Sequence, residues 1–289
     1  MRRCGLRRRL PAVRELGTHR GGTGEPLVLI HGFSGSPLVW EPVVEELQRS
    51  FDVLTVALTG HVGGPTLPEG ERVSVRALVD QVEREMDEAG FQTAHIAGNS
   101  LGGWIALELA DRGRARSVVA LAPAGGWEQG TRAERRLRGL FTRNHAMSRR
   151  MMPYMPKLLA RPRLRRLLLG QAVARGDLLD PATALAMAQG AVECPIYFEL
   201  MDAILSDGPP DGFPDIACPV LLAWGTRDRI IPAKTYSARM RELVPSAQWL
   251  ELRGLGHMPM GDDRELIART IADFAMQAES SRVAPQPVS

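Results

Sequence analysis

Short apolar runs alternate with segments of helical spacing along this chain, and that alternation is the feature that most restricts its fold. In the segment 74–89, for example, apolar residues recur every three or four positions. The apolar runs of strand length are PLVLI (26–30), FDVLTVAL (51–58), TAHIA (93–97), SVVALA (117–122), PVLLAW (219–224) and QWLELR (248–253). Strands that are apolar on both faces and separated by helices are typical of a parallel sheet covered on both sides.

The alternation breaks between residues 127 and 214, where no strand pattern occurs and proline interrupts helical segments rich in arginine and methionine. We therefore predict an α/β core formed by 11–126 and 215–278, with a helical cap over 127–214. The glycine-rich RGGTGE predicts a hairpin turn between strands at 12–19 and 26–31. A basic, disordered segment is predicted at 1–10, and a loose tail at 279–289.

The composition favours an ordinary globular protein and argues against several classes of function. Hydrophobic residues make up 44% of the chain, and the formal net charge is +3. Five arginines and no acid lie in residues 1–10, so the remainder carries 3 − 5 = −2, which argues against nucleic-acid binding. We find no signal peptide or transmembrane run, and expect a cytoplasmic protein without stable membrane insertion. The oligomeric state is left open.

The three cysteines, Cys4, Cys194 and Cys218, are few and far apart in the chain. This spacing argues against a disulfide framework and against a Cys-x-x-Cys metal site. We therefore predict no metal site.

Ser100 lies in Gly98-Asn99-Ser100-Leu101-Gly102, between a predicted strand and a predicted helix. A sharp turn of this kind needs small flanking residues, and it directs its central side chain outward at the start of a helix. The positive end of the helix dipole favours a developing anion there. The pattern predicts a nucleophilic serine, and the alternative is a serine at an ordinary helix start.

A serine nucleophile needs a base, and the base needs an acid that orients it. His257 follows the last predicted strand, and Asp228 follows the strand PVLLAW. Because the carboxyl ends of parallel strands share one edge, we expect both side chains near Ser100. His61 is a second candidate for the base. The backbone N–H groups of Phe33 and Leu101 are the predicted oxyanion donors.

Four segments together resemble the α/β-hydrolase superfamily: HGF (31–33), GNSLGG (98–103), GTRDRIIP (225–232) and GHMP (256–259). The resemblance covers about residues 12 to 278. It implies a mostly parallel eight-stranded sheet with a helical cap inserted after the sixth strand. It also implies that Ser100 is the nucleophile, Asp228 the acid and His257 the base, with no metal or organic cofactor. The loop 59–70 departs from the pattern, because ALTGHVGG lacks the usual aspartate.

These motifs predict a serine hydrolase that cleaves a small or medium hydrophobic ester through an acyl-enzyme on Ser100. The small hydrophobic acyl substrate is the predicted partner. GNSLGG is also similar to the turn of carbon–carbon bond hydrolases, so cleavage of a vinylogous diketone is an alternative. A non-catalytic protein that binds a small ligand is another. Haloalkane dehalogenases and epoxide hydrolases need a carboxylate nucleophile at this turn, and Ser100 argues against both.

The cap supplies the predicted substrate pocket, with the alternative that its apolar residues form only the core of the cap. The pocket candidates are Trp127, Met151 and Tyr154, together with Met258 beside His257. Residues 131–176 contain 12 Arg and one Lys against one acid, Glu134. We interpret this excess as solvated helix faces. The alternative is that it attracts anionic substrates or an acidic membrane surface.

Overall fold

A single seven-stranded sheet runs through the computed structural model, which describes residues 17–208 and 211–283. The strands are β1 (His19–Gly22), β2 (Glu25–Ile30), β3 (Phe51–Val56), β4 (Ala94–Asn99), β5 (Ala115–Leu121), β6 (Val220–Gly225) and β7 (Gln248–Leu252). Their order is β1-β3-β2-β4-β5-β6-β7, and every pairing except that of β1 with β3 is parallel. The predicted α/β class is confirmed.

The helices cover both faces of this sheet and its carboxyl edge. They are α1 (Glu41–Leu47), α2 (Val75–Glu88), α3 (Leu101–Asp111), α4 (Arg132–Met151), α5 (Met155–Leu159), α6 (Pro162–Leu169), α7 (Pro181–Glu193), α8 (Tyr197–Asp207), α9 (Ala233–Leu243) and α10 (Arg264–Val283). Apolar residues of α2, α3 and α9 form one buried layer against the sheet, and those of α1 and α10 form the other. Ser74 begins α2 by accepting a hydrogen bond from the Ala77 N–H at 3.1 Å.

The predicted hairpin between the first two strands is wrong. β1 pairs antiparallel with β3, because β2 already pairs with β3 on one side and with β4 on the other. The strand predicted at 12–19 begins at His19, and residues 1–16 lie outside the described residues, as does the predicted segment 1–10. Seven strands are described instead of the eight expected, and the cap helices follow the fifth of them.

The last helix extends further than the sequence pattern indicates. We predicted a loose tail from residue 279, yet α10 continues to Val283. Its last turns are held to the core, since Arg116 donates a hydrogen bond to Glu279 at 3.3 Å. Residues 284–289, the rest of that predicted tail, lie outside the described residues.

Helices α4 to α8 lie between β5 and β6, in the segment predicted as a cap, and we refer to them by that name. The cap has a small apolar core of its own, which includes Met155, Leu159 and Val173. None of the helices in the described ranges is both long enough and apolar enough to cross a membrane.

Arg165 of α6 is buried, although the sequence pattern placed all cap arginines on solvated faces. Its guanidinium donates to three backbone carbonyls: Leu159 at 2.5 Å, Gly176 at 3.0 Å and Asp177 at 2.9 Å. A planar group with five N–H donors suits this arrangement. Arg165 therefore ties α5, α6 and the segment that follows α6 into one unit.

We predict that Arg165→Met lowers the free energy of unfolding by about 3 kcal/mol or more, because it leaves buried carbonyls without donors. Urea unfolding followed by circular dichroism measures the change. Arg163→Met removes an exposed arginine from the same helix and is expected to shift stability by less than about 0.5 kcal/mol. Equal effects of the two variants would contradict the structural role of Arg165.

Candidate active site

Ser100 occupies a strained turn at the carboxyl end of β4. Its φ of 57° and ψ of −117° lie outside the regions that side-chain-bearing residues ordinarily adopt. The turn needs glycine on either side: a Cβ at Gly98 would overlap the carbonyl oxygen of Gly102, and one at Gly102 would overlap that of Ile30. Such strain costs of order 1–3 kcal/mol and persists only where surrounding structure enforces it.

Four backbone hydrogen bonds hold this turn in place. The Ser100 N–H donates to the Leu121 carbonyl of β5 at 2.9 Å. The Ser100 carbonyl in turn accepts from Gly103 at 2.9 Å, Trp104 at 3.2 Å and Ala124 at 2.9 Å. The hydroxyl therefore stands at the start of α3 on a backbone that cannot relax without breaking contacts to β5 and to the residues after it.

His257 and Asp228 meet at the same edge of the sheet, after β7 and β6. The His257 Nδ1 and an Asp228 carboxylate oxygen are 2.8 Å apart, and both side chains are buried. Since a carboxylate only accepts, Nδ1 carries the proton and Nε2 is left as a proton acceptor. The other Asp228 oxygen accepts the N–H groups of Ile230 and Ile231, each at 2.9 Å, which fixes the carboxylate orientation.

Ser100 and His257 line one cavity, so the structure brings the three predicted residues to a single site. Among the described residues the Ser100 hydroxyl makes no hydrogen bond to the His257 ring. Catalytic hydrogen bonds are often long without substrate and shorten in the reacting complex. The catalytic roles of Ser100, Asp228 and His257 stay predictions.

Two further residues hold the His257 loop, and sequence reasoning missed both. The side-chain amide of Asn99 donates to the His257 carbonyl at 2.9 Å and to the Leu121 carbonyl at 3.0 Å. The Asp262 carboxylate accepts the Gly256 N–H at 2.6 Å and the N–H of Arg175, a cap residue, also at 2.6 Å. Burial raises the pKa of Asp262. The loop is thus fastened both to the Ser100 turn and to the cap.

The HGF turn lies directly against Ser100. A Cβ placed on Gly32 would come 3.1 Å from the Ser100 Cβ, so a side chain there would require Ser100 to shift slightly. His31 anchors the turn, because its Nδ1 donates to the Gly32 carbonyl at 2.9 Å and its Nε2 accepts the Leu58 N–H at 3.1 Å. The N–H groups of Phe33 and Leu101 donate to no protein acceptor in the described part of the chain, and their oxyanion role stays a prediction.

Two cavities meet at Ser100 and share Phe33 and Phe141. The smaller has a volume of about 40 Å³ and is almost wholly apolar; its other residues are Leu101, Ala124, Trp127, Leu137, Met201, Ile204, Leu205 and Ile231. The larger, about 290 Å³, extends under the cap and includes Met151, Met187, His257 and Met258. A scissile bond at Ser100 would have a narrow space on one side and a wide one on the other.

The pocket predictions from sequence are partly wrong. Trp127 lines the smaller cavity, while Met151 and Met258 line the larger. Tyr154 lines neither, and its side chain is 63% exposed, because it lies in a single 3-10 turn, Met152–Tyr154, between α4 and α5. His61, the second candidate for the base, also lines neither cavity.

One wall of the larger cavity is polar, and no apolar pattern could have revealed it. Asn144, His145 and Ser148 of α4 face the cavity together with Gln171. The Asn144 amide donates to the Gln171 side-chain oxygen at 3.1 Å. Within the described ranges no group of three or more histidine, cysteine or acidic residues is arranged to hold a metal ion.

Comparison with known proteins agrees with this fold. The sequence profile of the alpha/beta hydrolase family matches residues 27–270. Epoxide hydrolase EphH of Mycobacterium tuberculosis is 32% identical over 203 residues, which cover 70% of this chain and 95% of that protein. The chain therefore belongs to the alpha/beta hydrolase family.

Solved structures of lower identity show the same fold. A thermophilic esterase from Thermogutta terrifontis superposes with a TM-score of 0.69 at 20% identity, covering 91% of this chain and 93% of that one. A meta-cleavage product hydrolase from Pseudomonas fluorescens gives a TM-score of 0.67 at 23% identity, covering 90% and 94%. The family and the fold thus define this protein as an α/β-fold hydrolase.

Two buried histidines flank the site. The rings of His31 and His61 are in edge-to-face contact with centroids 5.1 Å apart. Burial lowers the pKa of His31 to about 3, and the neighbouring His61 adds to this effect. Burial also lowers the pKa of His61 to about 4. Both rings are therefore neutral in the folded protein at neutral and mildly acidic pH.

We predict that the free energy of unfolding decreases as the pH falls below about 6.5. The reason is that His31 and His61 become protonated in the unfolded chain while they stay neutral in the folded protein. Each such histidine contributes about 1.4 kcal/mol per pH unit until its own lowered pKa is reached. Urea unfolding at pH 7, 6 and 5 measures the slope. His61→Gln should reduce it, while His19→Gln, at an exposed position, is the control. An equal slope in all three proteins would refute this account.

Proposed function

We propose that this protein is a serine carboxylesterase-like hydrolase that cleaves a small or medium hydrophobic ester through an acyl-enzyme on Ser100. The single observation that carries the proposal is that His257, held by the buried Asp228 at 2.8 Å, lines the same cavity as a serine on a strained turn. In the first step the Ser100 oxygen forms a bond to the ester carbonyl carbon, while His257 Nε2 takes the hydroxyl proton.

The negative charge that develops on the carbonyl oxygen needs donors that are already oriented. The Phe33 and Leu101 N–H groups suit this role, since both residues line the smaller cavity with Ser100 and, within the described residues, neither N–H donates to a protein acceptor. The loss of one such donor typically costs roughly 2.7–4 kcal/mol of transition-state stabilisation. The carbon–oxygen bond of the leaving alcohol then breaks, and His257 passes its proton to that oxygen.

Water completes the reaction by the same steps. His257 takes a proton from water as the water oxygen attacks the acyl carbon, and the bond from that carbon to Ser100 breaks. The proton returns to the serine, and the carboxylic acid leaves. Asp228 stays ionised throughout and stabilises the imidazolium. No step needs a metal or an organic cofactor.

The unequal cavities favour an ester with one short and one long side. The smaller cavity, at about 40 Å³, has much less volume than the larger one, at about 290 Å³. We assign it to a short acyl group. The larger cavity, with its methionine-rich apolar surface and one polar wall, receives the alcohol part.

Epoxide hydrolysis, named for the mycobacterial relative, is a second candidate. A carboxylate that opens an epoxide forms an ester, which water can cleave, whereas serine would form an ether that water does not cleave. Neither cavity is lined by an aspartate or glutamate within the described residues. These two observations favour ester cleavage.

We predict that the protein hydrolyses p-nitrophenyl acetate and butyrate with higher kcat/KM than the octanoate, because the smaller cavity excludes long acyl chains. Ser100→Ala should lower kcat by about 10⁴-fold or more. Release of p-nitrophenolate measures both. Ser246→Ala, at an exposed position, is the matched control. A preference for octanoate would instead assign the acyl chain to the larger cavity.

Labelling by a fluorophosphonate, which reacts with activated serines, separates the remaining possibilities. Labelling of the wild type but not of Ser100→Ala, with ester turnover, supports the proposal. Labelling with turnover of a vinylogous diketone but no ester identifies a carbon–carbon bond hydrolase. If the Ser100→Ala variant still hydrolyses styrene oxide, residues other than Ser100 carry out epoxide hydrolysis. A folded protein that is not labelled and turns over none of these substrates is a ligand-binding member of the family.

A further inference from the structure

A third cavity, between α4 and the loop that follows β6, is lined by four arginines and no acid. Arg135, Arg136 and Arg143 project from one face of α4, and Arg229 comes from the loop that also carries Asp228. We call the cavity that these four residues line the arginine pocket. The rest of its lining is Gly139, Leu140 and Gln171.

Most of the positive charge in the arginine pocket is uncompensated. Arg136, Arg143 and Arg229 are exposed and form no ion pair within the described residues. Arg135 donates one hydrogen bond to the Gly130 carbonyl at 2.7 Å. By contrast, Arg138 of the same helix pairs with Asp202 of α8. Arginines around a concavity, with free N–H donors, form an arrangement suited to a carboxylate or phosphate group.

The arginine pocket and the larger cavity at Ser100 adjoin each other. Gln171 lines both, and its side chain accepts a hydrogen bond from Asn144, which faces the larger cavity. Each of the three chain segments at this border contributes a residue to both cavities. The neighbouring pairs, with the arginine-pocket residue first, are Arg143 and Asn144, Gln171 and Ala172, and Arg229 and Ile230.

We propose that the arginine pocket binds the anionic end of the substrate, a carboxylate or a phosphate, while the apolar part lies in the larger cavity and the ester at Ser100. This inference rests on the proposed esterase function for the position of the ester. The anionic group belongs to the alcohol part, since the smaller cavity is apolar and holds only a short acyl group. The preferred substrate is thus an amphipathic ester with a charged end.

Binding is tested first, in the Ser100→Ala protein, so that the result does not depend on turnover. Octanoate and octyl phosphate are the probes, titrated by isothermal calorimetry at about 50 mM salt. Arg136→Gln/Arg143→Gln should weaken binding about tenfold. Arg149→Gln/Arg150→Gln removes the same charge from the same helix outside the pocket and should leave the affinity within twofold. The stronger of the two probes identifies the anion.

Kinetics then link the site to the reaction. The kcat/KM for 8-acetoxyoctanoate should exceed that for octyl acetate, and the ratio should fall about tenfold in Arg136→Gln/Arg143→Gln. The ratio should also fall as salt rises from 50 mM to 500 mM, because added ions screen the attraction. The Arg149→Gln/Arg150→Gln variant should keep the ratio of the parent protein.

The outcomes separate this inference from the proposed function. If anion binding depends on Arg136 and Arg143 but no ester is turned over, the anion site is supported and the esterase function is contradicted. Ester turnover with no preference for the charged substrate overturns the anion site. The anion site is also overturned if both double variants lose binding to phosphatidylglycerol vesicles equally while their binding of octanoate and octyl phosphate is unchanged. That result assigns the arginines to a membrane-facing surface.

Discussion

The strained backbone of Ser100 is the constraint on which the rest of the site depends. A residue held at φ 57° and ψ −117° stays there only because β5 binds its N–H and three later N–H groups bind its carbonyl. The same turn brings α3 so close to β2 that only glycine fits at Gly102. One tight junction therefore sets the direction of the serine hydroxyl, the start of α3 and the position of the HGF turn beside it.

The His257 loop is held from three directions, and this connects the cap to the chemistry. Asp228 holds the ring, Asn99 holds the backbone carbonyl, and Asp262 holds the preceding N–H together with the N–H of Arg175. A hydrogen bond of 2.8 Å from the Met258 N–H to the Ala172 carbonyl adds a further link to the cap. The segment of Gln171, which lines both the larger cavity and the arginine pocket, thus lies directly against the His257 loop.

Local pattern was a good guide wherever a residue's structure depends on its sequence neighbours. The apolar period and the glycines around Ser100 both act over a few residues, and the elements they predict are present. The predictions were wrong where distant partners decide. β1 pairs with β3 because β2 has no free edge, Arg165 is buried because carbonyls from three segments surround it, and Tyr154 faces solvent although its sequence suits a pocket.

By itself, the sequence determined the alternation that makes the sheet, and it determined the order of serine, aspartate and histidine after the strands β4, β6 and β7. Both follow from short-range preferences and from the rule that parallel strands end at one edge. Only the tertiary structure decided which groups hold the histidine loop, how large the two cavities at Ser100 are, and that Arg229 joins the arginines of α4. Asn99 and His257 are 158 residues apart, and a hydrogen bond over that separation leaves no periodic or local signal in a single chain.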